Sequence, residues 1–184
     1  NEFFQQIVNG SGKEDGTGRE NFELRIKLLL YARKEREAFE KINGKINDLG
    51  VEFIKFMAKY ALARSVFRRN LSGFDKLKEL DKRLRKEESD IYDWLRLVLT
   101  APSQFNQVKY VELAVLMYKS VINFHLAISK SSRTDYAVYY CNVIFQLSKL
   151  LNEPTIWQDL KSHLQQSYPR KRSLWQKQAE AKIA

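Results

Sequence analysis

The chain has 184 residues and a formal net charge of +10 at pH 7, and 44 % of its residues are hydrophobic and 12 % aromatic. This composition is typical of a globular domain and excludes an intrinsically disordered chain. Only seven glycines and three prolines interrupt the sequence, which favours long helices over many short strands. We therefore predict an all-α helical bundle of about five to seven helices.

The sequence also limits where the protein acts. It contains no run of 18 apolar residues that could span a bilayer, and its first residues do not form a signal peptide. The single cysteine, Cys141, cannot form an intramolecular disulfide and is typical of a reducing compartment. We expect a cytoplasmic protein without membrane contact. Because the chain does not begin with Met, we expect it to be trimmed or part of a longer product.

Residues 1–19 are predicted to form a short helix over residues 2–8 and a flexible loop. The loop, residues 9–19, holds four of the seven glycines and no apolar residue. Its Gly-Ser-Gly-Lys run is reminiscent of a phosphate-binding loop. The spacing is wrong for that motif, because Lys13 is followed by Glu14. We interpret the segment as a linker.

Residues 20–168 are predicted to be the bundle itself. Apolar periodicity predicts a first helix over residues 20–49, with a water-facing middle at residues 33–40 and an end near Gly50. A second helix is predicted over residues 51–71. One side of it is an apolar stripe formed by Phe53, Phe56, Met57, Tyr60, Ala63, Phe67 and Leu71.

Basic residues accompany this second helix. Its far side is expected to carry Lys55 and Lys59 beside Leu62 and Val66, a mixture typical of a contact surface. Arg64 falls inside the apolar stripe. Either its long stem packs on the core while its charged head reaches water, or the guanidinium contacts an anion.

A third helix is predicted over residues 74–99. Its first half is basic, and an acidic run that follows at residues 87–93 could neutralise much of that charge through i, i+4 pairs. A solvated face and a binding face are both open for it. Two largely apolar segments, residues 108–128 and 136–151, follow as a central antiparallel hairpin joined by a polar turn at residues 129–134. A strand over residues 136–145 is possible, but the segment's length favours a helix.

The last part of the chain is predicted to be a short helix and a basic tail. Thr155 is expected to cap a helix over residues 156–168. The tail, residues 169–184, contains the contiguous cations Arg170, Lys171 and Arg172 close to Trp175. This arrangement suits phosphate binding combined with base stacking. It equally suits a surface helix whose Trp docks on the core.

No catalytic or metal-binding constellation is found. His125 and His163 are isolated, and neither has further ligands at metal spacing. His125 is predicted to be a hydrogen-bonded core histidine, and Cys141 an inert buried thiol. We expect no enzyme, no cofactor and no metal.

The charge distribution indicates the partner. Residues 55–86 hold 11 Lys or Arg against 3 acids, and residues 161–184 hold 6 against 1. Such blocks favour sequence-independent binding of RNA or DNA backbones. The predicted contacts are Lys55, Lys59, Arg64, Arg68, Arg69, Lys76, Lys82, Arg83, Lys86, Arg170, Lys171 and Arg172. The alternative is a helical scaffold module that binds an acidic protein, and a peripheral membrane protein is disfavoured because no large apolar face is left free.

Residues 51–86 and 108–151, two charged helices and a hydrophobic hairpin, carry a resemblance to a known family. In size, charge and architecture the chain resembles the small helical subunit of CRISPR effector complexes of the Cascade type. The resemblance implies a non-catalytic antiviral-defence protein within a ribonucleoprotein complex. It also implies contacts with other subunits and with copies of itself, and Lys and Arg contacts with the backbones of guide RNA and target DNA.

Overall fold

A computed structural model describes residues 16–66, 79, 82, 102–128 and 130–183. Over these ranges the predicted all-α bundle is confirmed, and the strand considered for residues 136–145 is wrong because they are helical. The α-helices are α1 (Gly16–Tyr31), α2 (Glu35–Ile42), α3 (Val51–Val66), α4 (Gln107–Ala127), α5 (Ser131–Leu151), α6 (Pro154–Ser167) and α7 (Arg172–Glu180), with a 3-10 helix at Ile46–Asp48. The helix predicted over residues 2–8 lies outside the described residues. So does the one over 74–99, apart from helical Glu79 and Lys82.

The single helix predicted over residues 20–49 is wrong. Helix α1 ends in a left-handed turn at Arg33, with φ of 62°. The Lys34 N–H donates to the Leu29 carbonyl and the Arg33 N–H to the Leu30 carbonyl, which is the bonding pattern of a Schellman motif. The same motif ends α5 at Asn152 and α7 at Lys182. None of these three positions is a glycine. The sequence indicated the break at Asn152, which Pro154 follows, but showed no sign of the breaks at Arg33 and Lys182.

The break at Arg33 redirects the chain toward the core. The predicted water-facing middle at residues 33–40 is wrong for Glu35 and Ala38, which are buried in α2, as is the apolar Phe39. Their apolar members join one core cluster with residues of α3, α4 and α5.

The predicted antiparallel hairpin is present as α4 and α5. Tyr118 stacks on Tyr140, and His125, further along α4, stacks on Tyr136, earlier in α5. The partner's number falls as the position along α4 rises, so the two helices run in opposite directions. The connection is shorter than the predicted turn, because α5 already begins at Ser131.

Helix α3 packs against α4. The mixed far side predicted for it is wrong at Leu62 and Val66, both of which are fully buried. Every residue from Tyr60 to Val66 is buried, so the C-terminal half of α3 is a central core helix.

Helices α6 and α7 complete the described bundle by packing on α5. The predicted Thr155 cap is wrong, because Pro154 occupies the start of α6, where its fixed φ suits the first turn. The basic tail is folded: α7 buries Leu174, and the Trp175 indole N–H donates to the Tyr168 carbonyl at 3.3 Å. None of the helices in the described ranges is both long and apolar enough to cross a membrane.

Candidate nucleic-acid interface

The predicted contact residue Arg64 lies in the core, not on a surface. Its side chain is 2 % exposed, and its guanidinium lies 2.8 Å from the Glu35 carboxylate. The charged head does not reach water, and the anion that the guanidinium contacts is the buried Glu35 carboxylate of the same chain. Burial and pairing with Glu35 make Arg64 a structural residue, and its prediction as a nucleic-acid contact is wrong.

The Glu35 carboxylate collects four donors in what we call the Glu35 cluster, formed by Glu35, Tyr60, Arg64 and Tyr110. The Tyr60 and Tyr110 hydroxyls donate to separate oxygens of Glu35, and Arg64 donates through Nε and a terminal nitrogen. Burial, reinforced by the Glu35 charge, raises the pKa of Tyr60 far above its usual range. The cluster ties α2 to α3 and α4, and Tyr60 stays a protonated donor.

Two further predicted contacts lie on α3. The Lys55 Nζ is 3.1 Å from Glu52 Oε1, and its side chain is only 22 % exposed. Burial opposes its charge, but the neighbouring Tyr140 and Glu52 outweigh that effect and raise the pKa of Lys55. Lys59 is half-buried. Part of the cationic charge predicted for this helix is therefore engaged within the fold.

The tail cations lie at the end of the bundle where α4 meets α5. The Lys171 ammonium donates to the carbonyl of Leu126, in the last turn of α4. Arg170 and Arg172, on either side of it, are exposed. Lys171 thus anchors the segment and presents its two neighbours to solvent beside the α4–α5 connection.

Two cations that sequence analysis missed lie at this connection. Lys130 is exposed at the N-cap of α5, and Arg133 is half-buried in its first turn. Within the described ranges neither has an acidic partner, and the same holds for Arg170 and Arg172. Asp135, the one acidic residue of α5, is paired with Lys177 of α7. We call these four residues, Lys130, Arg133, Arg170 and Arg172, the basic end.

Aromatic rings lie among these cations. Tyr136 is 52 % exposed and Phe124 44 %, and the Arg133 guanidinium lies 6.0 Å from the centre of the Tyr136 ring. Cations and exposed rings at one end of the bundle offer both phosphate contacts and stacking surfaces. In the sequence, these two cations lie in the Ser-Lys-Ser-Ser-Arg-Thr stretch. It was interpreted only as a turn, because its two charges are not adjacent.

His125 lies beneath this surface. It is buried, stacked on Tyr136 and Tyr140 with ring centres 5.3 and 5.9 Å apart, and its two ring nitrogens find no hydrogen-bond partner in the described chain. The predicted core location is right, but the predicted hydrogen bonding is wrong. Burial lowers the pKa of His125, and the positive charges of Arg133 and Lys55 lower it further.

Of the remaining predicted contacts, the structure describes one and five lie outside the described residues. Lys82 is exposed and helical. Arg68, Arg69, Lys76, Arg83 and Lys86 lie outside the described residues. The structure thus brings together only the tail cations of the original set, and adds Lys130 and Arg133 to them.

Chemistry-bearing side chains are sparse in the described ranges. No group of three His, Cys, Asp or Glu there could hold a metal ion. The Cys141 thiol is fully buried in α5, and that burial raises its pKa to about 12. A thiol with such a pKa stays protonated and is a poor nucleophile at neutral pH.

Comparison with known proteins adds no relative: no protein-family model, curated protein or solved structure matches this chain.

Proposed function

We propose that this protein binds nucleic acid through its basic end, without reading sequence and without catalysing a reaction. The observation that carries the proposal is a set of four cations at the end of the bundle where Tyr136 and Phe124 are exposed. None of the four has an acidic partner within the described ranges: Lys130, Arg133, Arg170 and Arg172. Lys and Arg that lack internal partners are free to replace the counterions of phosphates, and this exchange drives sequence-independent binding.

The exposed rings favour single strands over duplexes. Tyr136 and Phe124 could each stack on an unpaired base, and such stacking tolerates every base because each has a π-face. Bases within a duplex are already stacked on each other. Single-stranded RNA or DNA, or a strand displaced from a duplex, is therefore the preferred partner.

The resemblance to the small subunit of Cascade-type CRISPR complexes implies that this binding occurs within a larger complex. Such a subunit would hold guide or target backbones within a larger ribonucleoprotein complex, beside other subunits and further copies of itself. The all-α bundle is compatible with that role.

The test is fluorescence anisotropy with random single- and double-stranded oligonucleotides at about 50 and 200 mM salt. Two double variants each reverse the charge of two of the four cations. One is Lys130→Glu with Arg133→Glu, and the other is Arg170→Glu with Arg172→Glu. Each should weaken binding and flatten the slope of log affinity against log salt by about 1.4 for a single strand, since each contact contributes about 0.7.

The matched control is Lys149→Glu with Lys161→Glu, which changes the net charge by the same amount as each test variant. Lys149 lies in the last turn of α5, at the opposite end of that helix from Lys130. The control should bind with nearly wild-type affinity. Equal weakening in control and test variants would show that net charge alone governs binding and would refute the basic end. No oligonucleotide binding at low salt, together with binding of poly-glutamate, would favour the alternative of an acidic protein partner.

A further inference from the structure

A groove between α4 and α6 lies on another part of the surface. Its volume is about 390 Å³. Apolar side chains line it, chiefly Val108, Val111, Val115, Leu116, Leu151 and Ile156. Two of them are unusually open to solvent for their type, since Val108 is 62 % exposed and Leu116 46 %. Such apolar exposure on one continuous surface is typical of an interaction site.

The shape of the groove suits a helix. Its lining begins at Gln107 and Glu153, near the starts of α4 and α6, and further along the Tyr168 hydroxyl lies 3.3 Å from Asn123 Oδ1. The two helices therefore run side by side in the same direction. The lining of α4 extends from Gln107 to Lys119, roughly 18 Å at 1.5 Å per residue, which matches about three turns of a docked helix.

The rim of the groove is acidic, in contrast to the whole chain. Glu112, Glu153 and Asp159 line it with one cation, Lys119. Glu112 is paired with Lys109 at 3.2 Å, whereas the side chains of Glu153 and Asp159 have no cationic partner within the described part of the chain. In a protein with a net charge of +10, this local acidity selects a partner that brings positive charge.

We propose that the groove binds an amphipathic helix of a partner protein, with apolar side chains facing α4 and α6 and Lys or Arg placed against Glu153 and Asp159. This is the helix-in-groove mode of recognition. The lining of the groove on α4 ends at Lys119, and the basic end lies beyond the last turn of α4, so about 12 Å of helix separates the two sites. Nucleic acid and partner helix could thus bind at the same time, and the proposal does not depend on the proposed function.

The probe is a fluorescent synthetic peptide of about 14 residues with Leu on one helical face and Lys elsewhere. Its twin carries Glu in place of every Lys. In anisotropy titrations at about 150 mM salt, the Lys peptide should bind the whole chain despite the like net charge. Leu116→Lys, and separately Glu153→Lys with Asp159→Lys, should each weaken that binding about tenfold or more.

Matched controls change similar residues elsewhere. Leu24 in α1 is 48 % exposed, so Leu24→Lys matches Leu116→Lys in both chemistry and exposure. Glu40→Lys with Asp48→Lys matches the acidic pair with two other exposed acids. Both controls should bind the Lys peptide as the wild type does. Binding of the Glu twin should not respond to Leu116→Lys, because that peptide would be attracted to basic surfaces instead.

Three results would overturn the proposal. The first is a Lys peptide that does not bind, or that binds Leu116→Lys as well as the wild type. The second is a marked fall in the unfolding midpoint of Leu116→Lys alone, which would show that the chain's own residues cover the groove. The third is a dimer of the wild type, seen by light scattering and lost in Leu116→Lys, which would make a second copy the occupant.

Discussion

The Glu35 cluster and the basic end treat arginine in opposite ways. At the Glu35 cluster, Arg64 is removed from water and gives its donors to a buried carboxylate. At the basic end, Arg170 and Arg172 remain in water with no acid beside them in the described chain. Whether a basic residue stabilises the fold or is available to a ligand thus depends on its burial and on its ion-pair partner. Its position in a charged stretch of sequence does not decide this.

The two regions also differ in what each charge does for stability. A buried ion pair gains Coulomb energy but loses hydration, so its net contribution is small while both partners are present. Removing one partner leaves an uncompensated buried charge, which is strongly destabilising. A solvated cation without a partner contributes little to stability, so its removal should change the affinity for a ligand and not the free energy of unfolding.

The largest effect expected from this contrast is the loss of Arg64. Arg64→Met keeps the length of the side chain but leaves Glu35 with only its two tyrosine donors. We expect the free energy of unfolding to fall by about 3–5 kcal/mol, measured by urea denaturation. Arg170→Met, a change of the same chemistry at the basic end, should change it by less than about 0.5 kcal/mol.

A double variant separates a buried charge from lost packing. Glu35→Gln combined with Arg64→Met removes both charges and should recover part of the stability lost in Arg64→Met alone. The folded double variant should bind oligonucleotides like the wild type. Weakened binding in it would place Arg64 in the binding machinery and abolish the contrast between the two regions.

A smaller effect is expected from His125, which lies between the core and the basic end. Its pKa is lowered in the folded protein by burial and by Arg133 and Lys55. Below about pH 6.5, the usual histidine pKa, the unfolded chain therefore binds more protons than the folded one. Stability should fall as the pH drops through this value toward the lower pKa of the folded state.

The measurement is the urea midpoint at about pH 7.5 and 5.5, on either side of the usual histidine pKa. His125→Phe keeps an aromatic ring between Tyr136 and Tyr140 and should reduce the difference between the two midpoints. The control is His163→Gln, because burial and Lys119 also lower the pKa of His163, though it is less buried than His125. If His163→Gln removed the pH dependence and His125→Phe did not, the assignment to His125 would be wrong.

The sequence predicted the parts of this fold that depend on periodicity. The hairpin of α4 and α5 was expected within a few residues of its bounds because its helices are long and apolar. Periodicity placed Arg64 within an apolar stripe, but its ion pair was not predictable, since its partner Glu35 lies 29 residues earlier in a segment that periodicity had placed on the surface. That error began at Arg33, where a left-handed turn forms without a glycine.

The basic end was half predictable for a similar reason. Three contiguous cations at residues 170–172 are conspicuous in the sequence, whereas Lys130 and Arg133 stand apart within a turn. The contact of Lys171 with Leu126 and the ion pair of Lys177 with Asp135 bring the two groups to one end of the bundle. Such a juxtaposition comes from packing between distant segments, which periodicity in the chain does not report.

The smallest expected effect is at Cys141, which reports whether α7 stays in place. The thiol is buried in α5, its pKa is raised to about 12 by that burial, and the Gln178 side chain of α7 donates to its sulfur at 3.5 Å. A thiol reagent should therefore leave the native protein unlabelled and react fully in denaturant. Arg170→Glu with Arg172→Glu should preserve this protection, because both side chains are exposed and neither packs in the core. Leu174→Ala, which removes a buried side chain from α7, should make Cys141 reactive. If the charge reversals alone exposed Cys141, their effect on nucleic-acid binding would reflect undocking of α7, and the two regions would no longer be separable.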